Sequence, residues 1–310
     1  MMTLLLWILV FAISIAVLLK GSEWLTDAAV LLSRNLGIST FLIGLTVVSI
    51  GTSLPELASS VAAVLAGDSS IVAGNVVGSN IANILLVLGL GAIIAGSLST
   101  RWEHRDTDFA FLFGATFLFI LFALDGTIIA LEAAFLLAFY LVYLVYLSRN
   151  HTHRISRAGK KISHWALRIA FPLVAGGALV YLGAKYTIKS VLAIASLTGV
   201  SSSVIAVTAV ALGTSLPELM VTIVAVVRHE HGIALGNIFG SNVFNLLGVA
   251  GLTGLVGQLV IPSKLLSFGI PVMIAATVLL YLSTLNWKVT RWEGTGLFLL
   301  YVFFIAFFFV

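Results

Sequence analysis

The stretch GTSLPEL at residues 51–57 decides the fold, because the same seven letters return at residues 213–219. At the same offset of 162 positions, the pattern GN-x-x-GSN-x-x-N occupies residues 74–83 and again residues 236–245. Self-similarity at one fixed offset indicates an internal duplication. The chain is therefore predicted to consist of two related halves, each carrying one copy of both motifs.

The composition excludes a water-soluble globule. Of the 310 residues, 60% are hydrophobic and 9% are charged, whereas soluble domains average about 25% charged residues. The chain contains no cysteine, which excludes disulfides, thiolate metal sites and cysteine nucleophiles. In so apolar a chain, the formal net charge of +4 is expected to report membrane topology, and no nucleic-acid partner is predicted.

Apolar stretches long enough to cross a bilayer, which takes about 20 residues each, fill nearly the whole chain. We predict an all-α integral membrane protein with ten transmembrane helices. They are expected near residues 3–30, 38–66, 69–97, 106–124, 127–148, 164–190, 201–228, 233–257, 264–285 and 291–310.

The distribution of basic residues predicts the orientation. With ten spans, both termini lie on one side of the membrane, and the central linker at residues 149–163 lies on the other. The linker side carries 13 of the 16 Lys and Arg residues. The positive-inside rule therefore places the linker in the cytoplasm and both termini outside the cell, in a plasma (inner) membrane.

Each half contains five predicted spans, at residues 1–148 and 164–310, with the best-matching segments near residues 39–90 and 201–252. Because five is odd, the second half enters the membrane inverted with respect to the first. Inverted repeats are typical of secondary transporters, whose site lies where the halves meet. A duplication that only builds a helix bundle is the alternative.

The heptapeptide predicts a broken helix in each half. Pro55 has no N–H, so the carbonyl of Gly51 loses its helical partner. We expect the second helix to break there and the seventh to break at the equivalent place. Free carbonyls at such a break favour a cation.

Glu56 and Glu218 are the acidic residues nearest to the centre of any span. Inserting a charged residue at that depth costs about 2.5–3.5 kcal/mol on insertion scales. We therefore predict that these two residues belong to a functional site. The alternative is that each glutamate is protonated, hydrogen-bonded within the bundle and without a functional role.

A polar stripe is expected on the third and eighth spans, because its residues recur every four positions and share a helix face. For four of them we favour ion contact: Ser79, Asn83, Ser241 and Asn245. For the remaining asparagines we favour hydrogen bonds between helices: Asn75, Asn80, Asn237 and Asn242.

These candidate ligands offer only hard oxygen atoms, which favour Ca²⁺, Na⁺, Mg²⁺ or Mn²⁺ over zinc or copper. Two carboxylates balance one divalent charge, and with amide and carbonyl oxygens they approach the six to eight ligands of Ca²⁺. Mg²⁺ ranks lower because it dehydrates reluctantly.

The paired motifs resemble the two alpha-repeats of the sodium/calcium exchanger family, in the cation/calcium antiporter superfamily. The linker has no room for the large regulatory domains of animal members, so the chain resembles the prokaryotic type. The resemblance implies a secondary active antiporter, with Na⁺ entry driving Ca²⁺ out by alternating access. It also implies usually three Na⁺ per Ca²⁺, hence electrogenic transport, and sliding of the first and sixth spans against the other eight.

The resemblance further implies the ligands. Glu56 and Glu218 bind both ions, and the carbonyls of Thr52 and Thr214 complete the calcium site. The flanking sodium positions use the carbonyls of two residues and the side chains of six: Ser49, Ala211, Ser53, Ser79, Asn83, Ser215, Ser241 and Asn245.

Some family members, including potassium-dependent and some prokaryotic ones, have an aspartate where this chain has Asn245. We therefore expect transport that does not need K⁺. No cofactor and no protein partner are predicted; the transported ions and the lipid bilayer are the only partners.

Three other functions stay open on the sequence. H⁺/Ca²⁺ exchange, or exchange of another divalent cation, is the main alternative, because a glutamate can carry a proton. A passive cation channel would be lined by the same two glutamates. An intramembrane hydrolase using them as a carboxylate pair is the third, but no water-activating histidine motif accompanies them, and we predict no enzyme activity.

Overall fold

In the computed structural model, the described residues are 2–102, 105–155, 162–198 and 215–308. They form a bundle of ten helices. The helices are α1 (Met2–Leu36), α2 (Thr40–Leu65), α3 (Ser70–Ala95), α4 (Arg105–Ala123), α5 (Ala130–Ile155), α6 (Ile162–Leu197), α7 (Leu216–Val227), α8 (His231–Val256), α9 (Leu265–Thr284) and α10 (Arg291–Phe308).

The expectation of an all-helical membrane protein is confirmed. Within the described ranges, nine helices are long and apolar enough to cross a bilayer, and α7 is a shorter apolar helix of 12 residues. Every predicted span overlaps one of the ten helices. The apolar window of helix α8 is 100% buried, whereas the windows of α1 and α10 are only 17% and 22% buried, as in helices at the lipid boundary.

Helices α1 and α6 continue past their predicted ends, to Leu36 and Leu197. The apolar part of α1 has 34 residues, which at 1.5 Å per residue is about 50 Å long. A bilayer core of about 30 Å needs much less, so α1 must tilt or project from the membrane.

The two long helices cross at glycines. A Cβ atom at Gly21 would lie 2.7 Å from the backbone nitrogen of Val180, and one at Gly183 would lie 2.6 Å from that of Leu18. Gly21 and Gly183 are separated by the repeat offset. Both helices therefore use the same position to bring their backbones together.

Four short strands pair across the halves: β1 (Ser97–Ser99), β2 (Thr127–Ile128), β3 (Leu259–Val260) and β4 (Lys288–Thr290). Strand β1 pairs antiparallel with β4, and β2 pairs antiparallel with β3. At the repeat offset, β1 corresponds to β3 and β2 to β4. Each pair is thus the image of the other, as expected for two inverted halves.

The irregular part of α2 lies earlier than predicted. The helix is a regular α-helix over Ser49–Leu65, with Pro55 inside it, and a π-helical turn occupies Gly44–Val48. The predicted break at Pro55 is therefore wrong in place. A proline removes a single backbone hydrogen bond, and prolines are tolerated inside membrane helices where neighbouring groups satisfy the freed carbonyl.

Two further π-helical turns follow the polar stripes, at Asn83–Leu88 in α3 and Phe244–Val249 in α8. They lie near equivalent positions of the two halves. Single π-helical turns inside α-helices often mark functional sites. The break predicted in the seventh helix, around residues 211–214, lies outside the described residues, and α7 begins at Leu216.

Helices α2 and α8 pack backbone to backbone. A Cβ atom at Gly236 would lie 2.2 Å from the carbonyl oxygen of Phe41, and one at Gly240 would lie 2.2 Å from that of Leu45. Glycine is the one residue that permits this approach. The contact brings the polar stripe of α8 against the second half of α2, where Glu56 lies.

Candidate cation site

Two carboxyl groups lie at the centre of the bundle. Glu56 on α2 and Glu218 in the first turn of α7 each expose 1% of their surface. They are near enough to interact electrostatically. Within the described part of the chain, three of their four carboxyl oxygens have no hydrogen-bond partner.

The fourth oxygen is held by the other half of the protein. Ser53 donates its hydroxyl hydrogen to Glu218 Oε1 over 2.8 Å, and its oxygen lies 3.1 Å from Ser241 Oγ. A hydroxyl has one hydrogen, so Ser241 donates to Ser53 when Ser53 donates to Glu218. The hydroxyls of Ser241 on α8 and Ser53 on α2 therefore form a chain of two hydrogen bonds that ends at the Glu218 carboxyl group on α7.

Three amides of the polar stripes lie buried in the bundle with unused oxygen atoms. Asn83 Oδ1, Asn242 Oδ1 and Asn245 Oδ1 have no hydrogen-bond partner among the described residues. Buried polar groups in native proteins are nearly always hydrogen-bonded, and each exception calls for an explanation, such as an ion that binds there. These amides are available as cation ligands.

The remaining predicted ligands within the described residues are buried as well, and most of them bond to other polar groups. The Ser49 hydroxyl donates to the Leu45 carbonyl over 2.7 Å, and the Thr52 hydroxyl is shared between Ser49 O and Asn237 Oδ1, each at 3.1 Å. Ser79 Oγ lies 3.4 Å from Asn75 Oδ1. Ser215 is buried at the start of α7.

Two predicted ligands, Ala211 and Thr214, lie outside the described residues. The structure brings the other predicted ligands into buried positions on the second, third, seventh and eighth helices.

Two hydroxyl residues one helical turn after the glutamates, Ser60 and Thr222, were not predicted from the sequence. Asn75 Nδ2 donates to the Glu56 carbonyl over 3.3 Å and to Ser60 Oγ over 2.9 Å. The repeat offset pairs Ser60 with Thr222, and a hydroxyl four residues after each glutamate was the signal that could have identified them.

The donor set defines the chemistry. No cluster of three or more His, Cys, Asp or Glu residues occurs in the described ranges, so two carboxyl groups supply all the formal charge. Carboxylate, amide and hydroxyl oxygens suit hard cations, and two negative charges match one divalent ion. The site fits Ca²⁺ or Na⁺ as cargo.

Comparisons with known proteins agree with this geometry. The family model described as sodium/calcium exchanger protein matches residues 6–149 and 169–310. Sodium/calcium exchanger MaX1 of Methanosarcina acetivorans is 35% identical, over 96% of this chain and 97% of that protein. Putative antiporter CaxA of Alkalimonas amylolytica is 32% identical, over 94% of each chain.

A solved structure is also similar. The sodium-calcium exchanger NCX_Mj, soaked with 10 mM Na⁺ and zero Ca²⁺, superposes with a TM-score of 0.87 at 31% identity. The match covers 98% of this chain and 99% of that chain. The likeness therefore extends over the whole bundle, including the helices that carry the two glutamates.

Proposed function

Because the chain belongs to the sodium/calcium exchanger family, we propose that it exchanges Na⁺ for Ca²⁺ across the membrane. It is a multi-pass membrane protein and a secondary transporter, and it is not an enzyme. The observation that carries the proposal is the pair of buried carboxyl groups, one from each half, with three oxygens free to bind a cation.

The two glutamates bind either one Ca²⁺ or Na⁺ ions, but not both loads together. One Ca²⁺ neutralises both carboxylates, and the carbonyls of Thr52 and Thr214 complete its shell. Na⁺ ions occupy flanking positions formed by the same glutamates with neighbouring groups. These groups are the Ser49 and Ala211 carbonyls and the side chains of Ser53, Ser79, Asn83, Ser215, Ser241 and Asn245. Thr214 and Ala211 enter through the repeat alone, as the counterparts of Thr52 and Ser49.

Alternating access uses the long helices α1 and α6, which slide as a pair against the other eight. Their length and their close glycine crossing support this assignment. Arg228, at the end of α7, forms an ion pair with Asp27 of α1 and lies 3.8 Å from Glu23 Oε2. Movement of α1 would have to stretch or exchange these ion pairs.

The domain organisation follows the repeat. Residues 1–148 form the first five-helix half, with its alpha-repeat near 39–90, and residues 149–163 form a basic cytoplasmic linker. Residues 164–310 form the inverted second half, with its alpha-repeat near 201–252. The equivalent strand pairs support this division. Both termini face outward from the plasma (inner) membrane.

Transport is electrogenic and independent of K⁺. The first property follows from three Na⁺ carrying more charge than one Ca²⁺. The second follows from the neutral amide of Asn245, which adds no third negative charge to the site. Ca²⁺ and Na⁺ are substrates, no cofactor takes part, and no protein partner is needed. H⁺/Ca²⁺ exchange is not favoured, because both the family model and the similar structure are those of sodium/calcium exchangers.

The test is Na⁺-gradient-driven ⁴⁵Ca²⁺ uptake into vesicles reconstituted with purified protein. We expect Glu56→Gln and Glu218→Gln each to abolish uptake, because Gln keeps the size of Glu but removes the charge. Glu132→Gln is the matched control; Glu132, in the first turn of α5, accepts a hydrogen bond from the Ile129 N–H, and Gln can still accept it. Full activity of both central variants, or uptake that needs only a proton gradient, would overturn the proposal.

A further inference from the structure

The two halves hold their glutamates with the same three-residue arrangement. In α8, Asn237 Nδ2 donates to the Glu218 carbonyl over 3.2 Å and to Thr222 Oγ1 over 3.1 Å. In α3, Asn75 makes the equivalent bonds to Glu56 and Ser60. We refer to each arrangement as an amide clamp.

Each clamp uses the full donor capacity of its amide. An asparagine NH₂ group has two hydrogens, and one goes to the glutamate carbonyl while the other goes to a hydroxyl one turn later. The clamp thus fixes the helical turn that carries the glutamate to a neighbouring helix. In both helices a proline, Pro55 or Pro217, comes directly before the glutamate and has no N–H to donate.

The second clamp also reaches the other half. Asn237 Oδ1 accepts a hydrogen bond from Thr52 Oγ1 over 3.1 Å. One buried amide therefore touches the backbone of Glu218 and the side chain of Thr52, whose carbonyl is a proposed calcium ligand. The Asn237 side chain therefore couples the position of Glu218, in the second half, to that of Thr52, in the first half.

We propose that Asn75 and Asn237 are positioning residues that set the separation of the two carboxylates and thereby the preference for Ca²⁺ over Na⁺. The inference rests on the proposed function. Ca²⁺ needs oxygens at 2.3–2.6 Å from both glutamates at once, whereas a Na⁺ ion needs only one carboxylate. A looser turn therefore weakens Ca²⁺ binding more than Na⁺ binding.

A purely structural role gives a different result. If the amides only joined helices, their loss would lower stability and reduce the binding of both ions in parallel. The ratio of the two affinities separates the two cases, since general loosening of the bundle does not change it.

The experiment measures equilibrium binding of ⁴⁵Ca²⁺ without Na⁺, and of ²²Na⁺ without Ca²⁺, to the purified full-length protein. We expect Asn237→Leu to raise the Kd for Ca²⁺ about tenfold, while half-saturation by Na⁺ changes less than twofold. Thr222→Val, which removes only the hydroxyl acceptor, should shift the ratio in the same direction by a smaller factor. If Asn237→Leu does not elute as a folded protein, the Thr222→Val variant tests the proposal.

The matched control is Asn80→Leu, on α3. Asn80 is buried too, but its amide donates to the Val76 carbonyl of its own helix over 2.7 Å. Its Ca²⁺-to-Na⁺ affinity ratio should equal that of the unmodified protein. If the affinities for both ions change equally, or do not change, in the folded Asn237 and Thr222 variants, the proposed role of the amide clamp is wrong. Unaltered ion binding in Glu218→Gln would instead overturn the proposed function.

Discussion

Ser53 and Glu218 are 165 residues apart in the chain, and the Ser53 hydroxyl donates a hydrogen bond to Glu218 Oε1 over 2.8 Å. The bond joins α2 of the first half to α7 of the second at the centre of the bundle. A carboxyl group from one half is therefore oriented by a hydroxyl from the other, so neither half forms the site alone.

Replacing Ser53 with alanine should raise the Na⁺ concentration that half-activates ⁴⁵Ca²⁺ uptake. Hydrogen bonds to charged groups are worth about 1.5–3 kcal/mol, so we expect roughly a tenfold increase or more. Ser148→Ala is the control, because Ser148 bonds to the Val145 carbonyl in its own helix. An unchanged Na⁺ dependence in Ser53→Ala would show that this bond does not orient Glu218.

Gly236→Ala should destabilise the protein, because the new methyl group would lie 2.2 Å from the Phe41 carbonyl and 2.7 Å from the Leu45 nitrogen. Overpacking costs about 1–3 kcal/mol, and backbone atoms cannot move aside as a flexible side chain can. Thermal unfolding in detergent measures the loss.

Gly177→Ala is the control for that substitution, since, apart from neighbouring residues and the backbone of its own helix, no described atom lies within 4 Å of its Cβ position. Alanine favours a helix over glycine by about 0.8–1.0 kcal/mol, so this variant should be at least as stable as the parent. An equal loss of stability in both variants would contradict the close α2–α8 contact.

Uptake should be the same with and without K⁺ on both sides of the vesicle membrane. Asn245 is neutral and buried, so the site has two carboxylates for a divalent charge and no third one for an added monovalent ion. The assay compares initial ⁴⁵Ca²⁺ uptake in Na⁺-loaded vesicles, with choline replacing K⁺ as the control cation. A rate that falls severalfold in choline would refute potassium independence.

Linking α1 to α7 should arrest transport. The chain has no cysteine, so Asp27→Cys combined with Arg228→Cys gives two unique reporters at an observed ion pair. A short cleavable bifunctional thiol reagent should abolish ⁴⁵Ca²⁺ uptake, and reduction should restore it, because α1 must move relative to α7. Each single-cysteine variant treated alike is the control; full activity of the linked protein would exclude sliding of α1.

Removing the ion pairs of Arg228 should reduce the uptake rate less than crosslinking α1 to α7 does. Arg228 is partly exposed, and exposed ion pairs contribute about 0–1 kcal/mol. Arg228→Gln should therefore change the uptake rate by no more than about fivefold.

Much of the fold could be predicted because its determinants are local. The cost of placing polar backbone in lipid makes each apolar stretch a helix, and the repeated GTSLPEL stretch identifies Glu56 and Glu218. The place of the irregular turn in α2 could not be predicted in this way. Pro55 suggested a break, yet the π-helical turn lies at Gly44–Val48, where α2 packs closely on α8.

The sequence by itself determined that this protein is an apolar helical bundle with two duplicated halves and two central acids, because hydrophobicity and self-similarity are properties of the linear chain. Only the tertiary structure decided which groups meet at the centre. The Ser53–Glu218 bond, the Thr52–Asn237 bond and the amide clamps depend on how distant helices cross, and the close contact at Gly236 and Gly240 fixes the crossing of α2 and α8. Such contacts arise from three-dimensional packing, which no local pattern of residues encodes.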